Sequence, residues 1–184
     1  MMSKKRLFAI ICVILFGILI NAFIVTRPDG YAPIDVDMQL EITSDQDGVV
    51  QVFYGNNGQF DEASSLVFEY TKKNKTELFT GKVPSDVTSI RLDFPDDSSV
   101  AWVSLLRFDR YGNEISLTED MLSNISTVRL NQVSWNNGKM DVSIAGADSC
   151  VIFDDGVFSI HEITDEHELK INRLKKLAAC IFVD

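Results

Sequence analysis

Three aromatic residues set among asparagine and glycine carry the clearest chemical signal in the chain. Tyr54 opens onto Gly55-Asn56-Asn57-Gly58, Phe60 follows just beyond, and Trp135 leads directly into Asn136-Asn137-Gly138. Aromatic planes stack on the apolar faces of sugar rings, and side-chain amides both donate to and accept from hydroxyls. Tyr54, Asn56, Asn57, Phe60, Trp135 and Asn136 are therefore the candidate glycan-binding residues. Each also has a plainer reading. Strand aromatics are more often core, which is the stronger reading for Tyr54, Trp102 and Trp135, and Asn-Gly pairs are turn formers first.

Other chemistry is thinly supplied. His161 and His167 are the only histidines, and six residues apart on a helix they point about 240° apart, unlike the i, i+4 pair of a zinc protease. Asp45-Gln46-Asp47-Gly48 has the look of the middle of a calcium loop. Thr43 and Tyr54, however, stand where the first Asp and the bidentate Glu belong, so Asp45 and Asp47 are weak metal candidates and turn acids first. Asp93, Asp109 and Glu69 are strand acids of the kind that hydrolyse glycosides in pairs. Cys150 has no neighbour in sequence that would lower its pKa and reads as a core thiol. No glycine-rich phosphate loop is present, no cofactor is expected, and the chain reads as a non-enzyme.

An apolar run opening at Leu7 and closing at Val25 has nineteen residues and no charge. As a helix it reaches about 28 Å, close to the roughly 30 Å of a bilayer core. Lys4, Lys5 and Arg6 precede it, so the amino terminus is predicted to be cytoplasmic and the remainder outside. A cleaved signal peptide is the rival reading, but its best cut, after Ala22, places the bulky Ile20 near the cut where a small residue belongs. All 27 acidic residues lie beyond Pro28 against 13 of the 17 basic ones, so the outer part carries −14. Such a field repels phosphate, which argues against nucleic acid. The lipid bilayer is the expected partner of residues 7–25.

The positioning elements are strands. Residues 36–42 alternate apolar and polar, and further runs follow at 49–54, 66–70, 76–83, 87–94, 114–117, 125–134, 139–145 and 150–153. Residues 100–108 are apolar on both faces and predict a central strand. About ten short strands with turns between them predict a mainly β chain: an antiparallel β-sandwich, jelly-roll-like, with an N-terminal transmembrane helix and a short C-terminal helix. The expected organisation is a cytoplasmic tail (1–6), an anchor (7–25), a linker (26–33), the extracytoplasmic sandwich (34–158) and a helical tail (159–184). In that tail Lys170, Arg173, Lys175 and Lys176 precede an apolar stretch, as they would at the start of a second membrane segment.

The stretch VTSIRLDFPDDSSVAWVSLLRFDRYGNEISL (87–117), with QVFYG (51–55) and GADSCVIFDD (146–155), resembles the extracytoplasmic β-sandwich that follows the first helix of bacterial multi-spanning membrane proteins of polysaccharide assembly, including glycosyltransferase-like ones. The resemblance implies a cell-envelope setting. The helices that would bind a lipid-linked sugar donor in that group have no counterpart in this sequence, so no catalytic residue is carried over. The expected function is a membrane-anchored, non-catalytic recognition or accessory domain for a cell-surface glycan or another envelope protein. The alternatives are a piece of a multi-spanning polysaccharide-assembly protein and a β-sandwich glycan hydrolase.

Overall fold

A computed structural model of the protein describes residues 16–17 and 34–163. Apart from Phe16 and Gly17, the expected anchor lies outside the described residues, as do the linker and most of the helical tail. Among the described residues no helix is long and apolar enough to cross a membrane.

Residues 34–163 form eleven strands and three short 3-10 turns. The strands are β1 (Asp35–Ser44), β2 (Gly48–Gly55), β3 (Ser65–Tyr70), β4 (Glu77–Pro84), β5 (Ser89–Asp93), β6 (Val100–Arg110), β7 (Asn113–Ser116), β8 (Ile125–Val128), β9 (Leu130–Asn136), β10 (Lys139–Ile144) and β11 (Cys150–Phe153). They make two antiparallel sheets. One has the order β4-β1-β6-β10-β9, with β7 also paired to β6; the other has the order β3-β2-β5-β11-β8.

Position by position the two orders hold strands adjacent in sequence: β4 and β3, β1 and β2, β6 and β5, β10 and β11, β9 and β8. The chain thus passes between sheets through short connections, as compact folds favour. Residues 125–134, expected as one strand, are split between sheets. Arg129 adopts a left-handed φ of 51°, so β8 pairs with β11 while β9 pairs with β10.

Period-two alternation explains the core. Val36, Met38, Leu40 and Ile42 of β1 are buried, as are Ala101, Val103, Leu106 and Phe108 of β6. A bulge between Glu41 and Ile42 shifts the register against β6, which is why its buried positions change from odd to even numbers. From the second sheet Val50, Val52, Ile90, Leu92, Val151 and Phe153 join the same apolar cluster. Phe158 locks the two together, its ring edge-on to Phe108 of one sheet and Phe153 of the other, with both centroids at 5.1 Å. Ile160 and Ile163 are buried in that cluster too, so the domain runs past the expected boundary at 158. The described start of the tail, Ile160–Ile163, is a 3-10 turn.

Candidate functional site

The same alternation that buries one face of the six-stranded sheet turns a polar row outward. On β1 this row is Asp37, Gln39, Glu41 and Thr43; on β6 Trp102 and Ser104 lie between the buried Ala101, Val103 and Leu106. Register then aligns strands across the sheet. Thr43 is paired with Trp102, Trp102 with Asp141, and Asp141 with Ser134, and the Thr43 and Thr76 hydroxyls sit 2.9 Å apart. The next outward row is Val100, Ser143 and Gln132.

At the other side of Trp102 the β9–β10 hairpin turns through Asn137 (φ 51°) and Gly138 (φ 77°), the left-handed pair a tight hairpin needs. This turn carries Asn136, Asn137 and Lys139 to the rim of an open groove of about 410 Å³, lined also by Thr43, Thr76, Trp102 and Asp141. Trp102 lines the neighbouring depression with Gln132, Ser134 and Ser143 as well. A single half-buried indole is therefore surrounded mostly by hydroxyls and amides, with one carboxylate, one ammonium and the apolar Val100 and Val142 on one side. That is a stacking plane ringed by groups able to pair with a polyol.

Trp102 was expected in the core. It faces outward instead, because residues 100–108 are less two-faced than their composition implies: Ser104 shares its side, and the bulge restores an apolar inner face beyond it. The inward tryptophan is Trp135, set opposite the buried Met140 and packed against the core.

Among the expected glycan-binding residues, Asn136 alone lines the Trp102 groove. Tyr54 is half-buried against the core at the end of β2 in the other sheet. Asn56 Oδ1 accepts from the Thr88 amide at 3.0 Å, and Asn57, left-handed at φ 55°, donates its amide to Thr88 Oγ1 at 3.3 Å. Phe60 lies over Gly55, close to where a side chain there would begin. Asn56, Asn57 and Phe60 belong to a folded-back loop, entered from Tyr54 at the end of β2 and lying beside Asp155, whose carboxylate accepts from the Ser89 and Thr88 hydroxyls. Those two hydrogen bonds hold its carboxyl below the ordinary range.

The weak metal candidates are occupied otherwise. Asp45 Oδ1 accepts from the Ser99 and Val100 amides at 2.9 and 3.3 Å, and Asp47 Oδ1 from the Lys73 amide at 2.8 Å. Asp47, Asp93, Asp96, Asp97 and Asp148 do line one concavity. No group of three or more His, Cys, Asp or Glu among the described residues could hold a metal ion.

Of the strand acids, Asp93 faces outward from the five-stranded sheet and Asp109 outward from the six-stranded one, with the core between them. Arg91 grips Asp93 through Nε and Nη2, both at 2.6 Å. Burial nevertheless pushes the Asp93 carboxyl above its ordinary range, and it pushes the adjoining Cys150 thiol up as well. A raised thiol pKa leaves little thiolate at neutral pH, which fits the inert reading of Cys150.

No family model, curated protein or solved structure matches the chain. The chemistry of the groove rests on its own side chains.

Proposed function

We propose that the protein is a membrane-anchored, extracytoplasmic β-sandwich that recognises a cell-envelope glycan without catalysis, through the outer face of its six-stranded sheet. One observation carries the reading: Trp102 is turned outward at the centre of a row from Thr43 to Ser134, with Asn136, Asn137, Lys139 and Asp141 around it. A hydrophobic function would favour apolar neighbours for that indole, whereas these are mostly hydroxyls and amides. The charge-free run at 7–25 and the basic residues before it support the tether and its orientation. The resemblance of residues 87–117 to extracytoplasmic domains of polysaccharide-assembly proteins supports the envelope setting.

The test is a glycan array probed with the full chain in detergent. Trp102→Ala should weaken every positive signal at least about tenfold, about 1.4 kcal/mol, with the melting transition nearly unchanged. Trp135→Ala should do the reverse, lowering stability by about 2–3 kcal/mol as a partly buried large-to-small change and sparing binding in the folded fraction. A folded Trp102→Ala protein that binds like the parent, or a parent chain that binds no glycan, sinks the proposal.

A further inference from the structure

The Trp102 groove is not alone on its face. A second depression of about 460 Å³ lies over β4, β1 and β6, lined by Asp37, Gln39, Thr80, Lys82, Arg107 and Asp109. Both face the same way, because Thr43 of the first and Gln39 and Asp37 of the second are alternate outward residues of β1. Between them the strands are bridged by Ser104 Oγ, which lies 3.2 Å from Glu41 Oε2. Along β6, Trp102 and Arg107 are five residues apart, a span of about 17 Å. That is longer than one sugar ring.

The charges in each groove balance. Lys139 stands with Asp141 in the first. In the second, Lys82 lies 3.9 Å from Asp37, and Arg107 is held by Gln39 Oε1 at 2.6 Å and by Glu114 Oε2 at 3.0 Å, with Asp109 close by. No cation is left in excess to attract an anionic polymer. The surrounding chain beyond Pro28, at −14, repels one.

From this geometry we infer that the ligand is an extended, uncharged polysaccharide chain lying along β1 and β6, with one subsite at Trp102 and a second at Gln39, Lys82, Arg107 and Asp109. The inference rests on the glycan reading above and adds to it the length and charge of the ligand. Trp102 supplies the stacking plane. In the far subsite Arg107 and Gln39 already hold one another, so little of their side-chain freedom is lost on binding.

Calorimetric titration of the full chain in detergent tests it, using neutral gluco-oligosaccharides (α-1,4, β-1,3 and β-1,4 linked) from disaccharide to hexasaccharide, with oligogalacturonate as the anionic counterpart. In at least one neutral series, affinity should rise by about tenfold or more from the shortest to the longest member, because a second subsite on the same ligand acts at high effective concentration. The charge-conserving double variant Lys82→Ala/Asp109→Asn should remove the gain with chain length, so that the hexasaccharide binds no tighter than the disaccharide. Trp102→Ala should weaken both at least about tenfold.

Trp102-dependent binding that is flat with chain length, or hexasaccharide binding untouched by the double variant, overturns the two-subsite inference while leaving glycan recognition standing. Stronger binding of oligogalacturonate overturns the uncharged ligand. Binding of no saccharide at all removes the glycan reading and this inference with it.

Discussion

Tyr70 illustrates how much one hydroxyl organises here. It closes β3 fully buried, with its Oη 3.0 Å from the Ser44 amide, 3.1 Å from the Ser44 carbonyl, and 2.8 and 2.7 Å from the carbonyls of Lys72 and Lys75. A phenol has one proton, so it accepts from the Ser44 N–H and donates to one of the three carbonyls at a time. It thereby ties the turn after β3 to the end of β1. Tyr70→Phe keeps the ring and leaves the buried amide unpaired, so unfolding in urea should show a loss of about 1–3 kcal/mol with the native spectrum retained. A loss within error would mean that water takes over the hydroxyl's role. Tyr70 itself was legible as the apolar end of a strand, since Leu66 and Phe68 share its face. Its partner Ser44 is 26 residues away, and no local pattern names it.

At the scale of elements, the loop between β2 and β3 depends on Gly55. A Cβ there would stand 1.9 Å from the Gln59 carbonyl oxygen and 3.4 Å from Phe60 Cδ1, so the loop can fold back only over a glycine. The returning chain is pinned by the Asn56–Gln59 bridge, by Asp61 Oδ1 accepting from the Ser64 amide at 2.9 Å, and by Gln51 Nε2 donating to Glu62 Oε2 at 3.0 Å. Gly55→Ala meets backbone and not a flexible side-chain tip, and should cost about 3 kcal/mol, the upper part of the usual range for overpacking. Chemical denaturation reads that cost. Because this loop belongs to the five-stranded sheet, glycan binding at Trp102 should persist in the folded fraction. Wild-type stability in Gly55→Ala would show that the loop has another seat. The turn composition of residues 55–58 was plain in the sequence; the reason for it, a close backbone approach, needed the fold.

For the whole molecule, the two sheets share one apolar cluster, and an acidic exterior surrounds it. The anchored reading proposed above turns on residues 7–25. The full chain should sediment with membranes and resist alkaline carbonate extraction, and protease added outside intact cells should digest the strands. Replacing Leu15 and Ile18 by Arg, each costing about 2.5–3.5 kcal/mol near a helix centre, should release the chain from the membrane. Recovery of the unaltered chain in the soluble cytosolic fraction contradicts the anchored reading.

Sequence alone determined the strand-rich class, because period-two burial is local: β1 exposes and buries alternate residues wherever it lies in a sheet. It determined the hairpin at Asn137-Gly138 too, since left-handed φ at two successive positions is a property of those residues. It also places the charge-free run and the acidic balance, which are matters of composition. Tertiary structure decided which face of each strand looks outward. One bulge at Glu41/Ile42 reverses the parity of β6, and parity separates a core tryptophan from an outward-facing one. It decided the split of 125–134 between sheets and the strand order, which a jelly-roll expectation did not supply. And it gathered Thr43, Trp102, Asp141 and Ser134 into one row, because register joins residues that lie far apart along the chain.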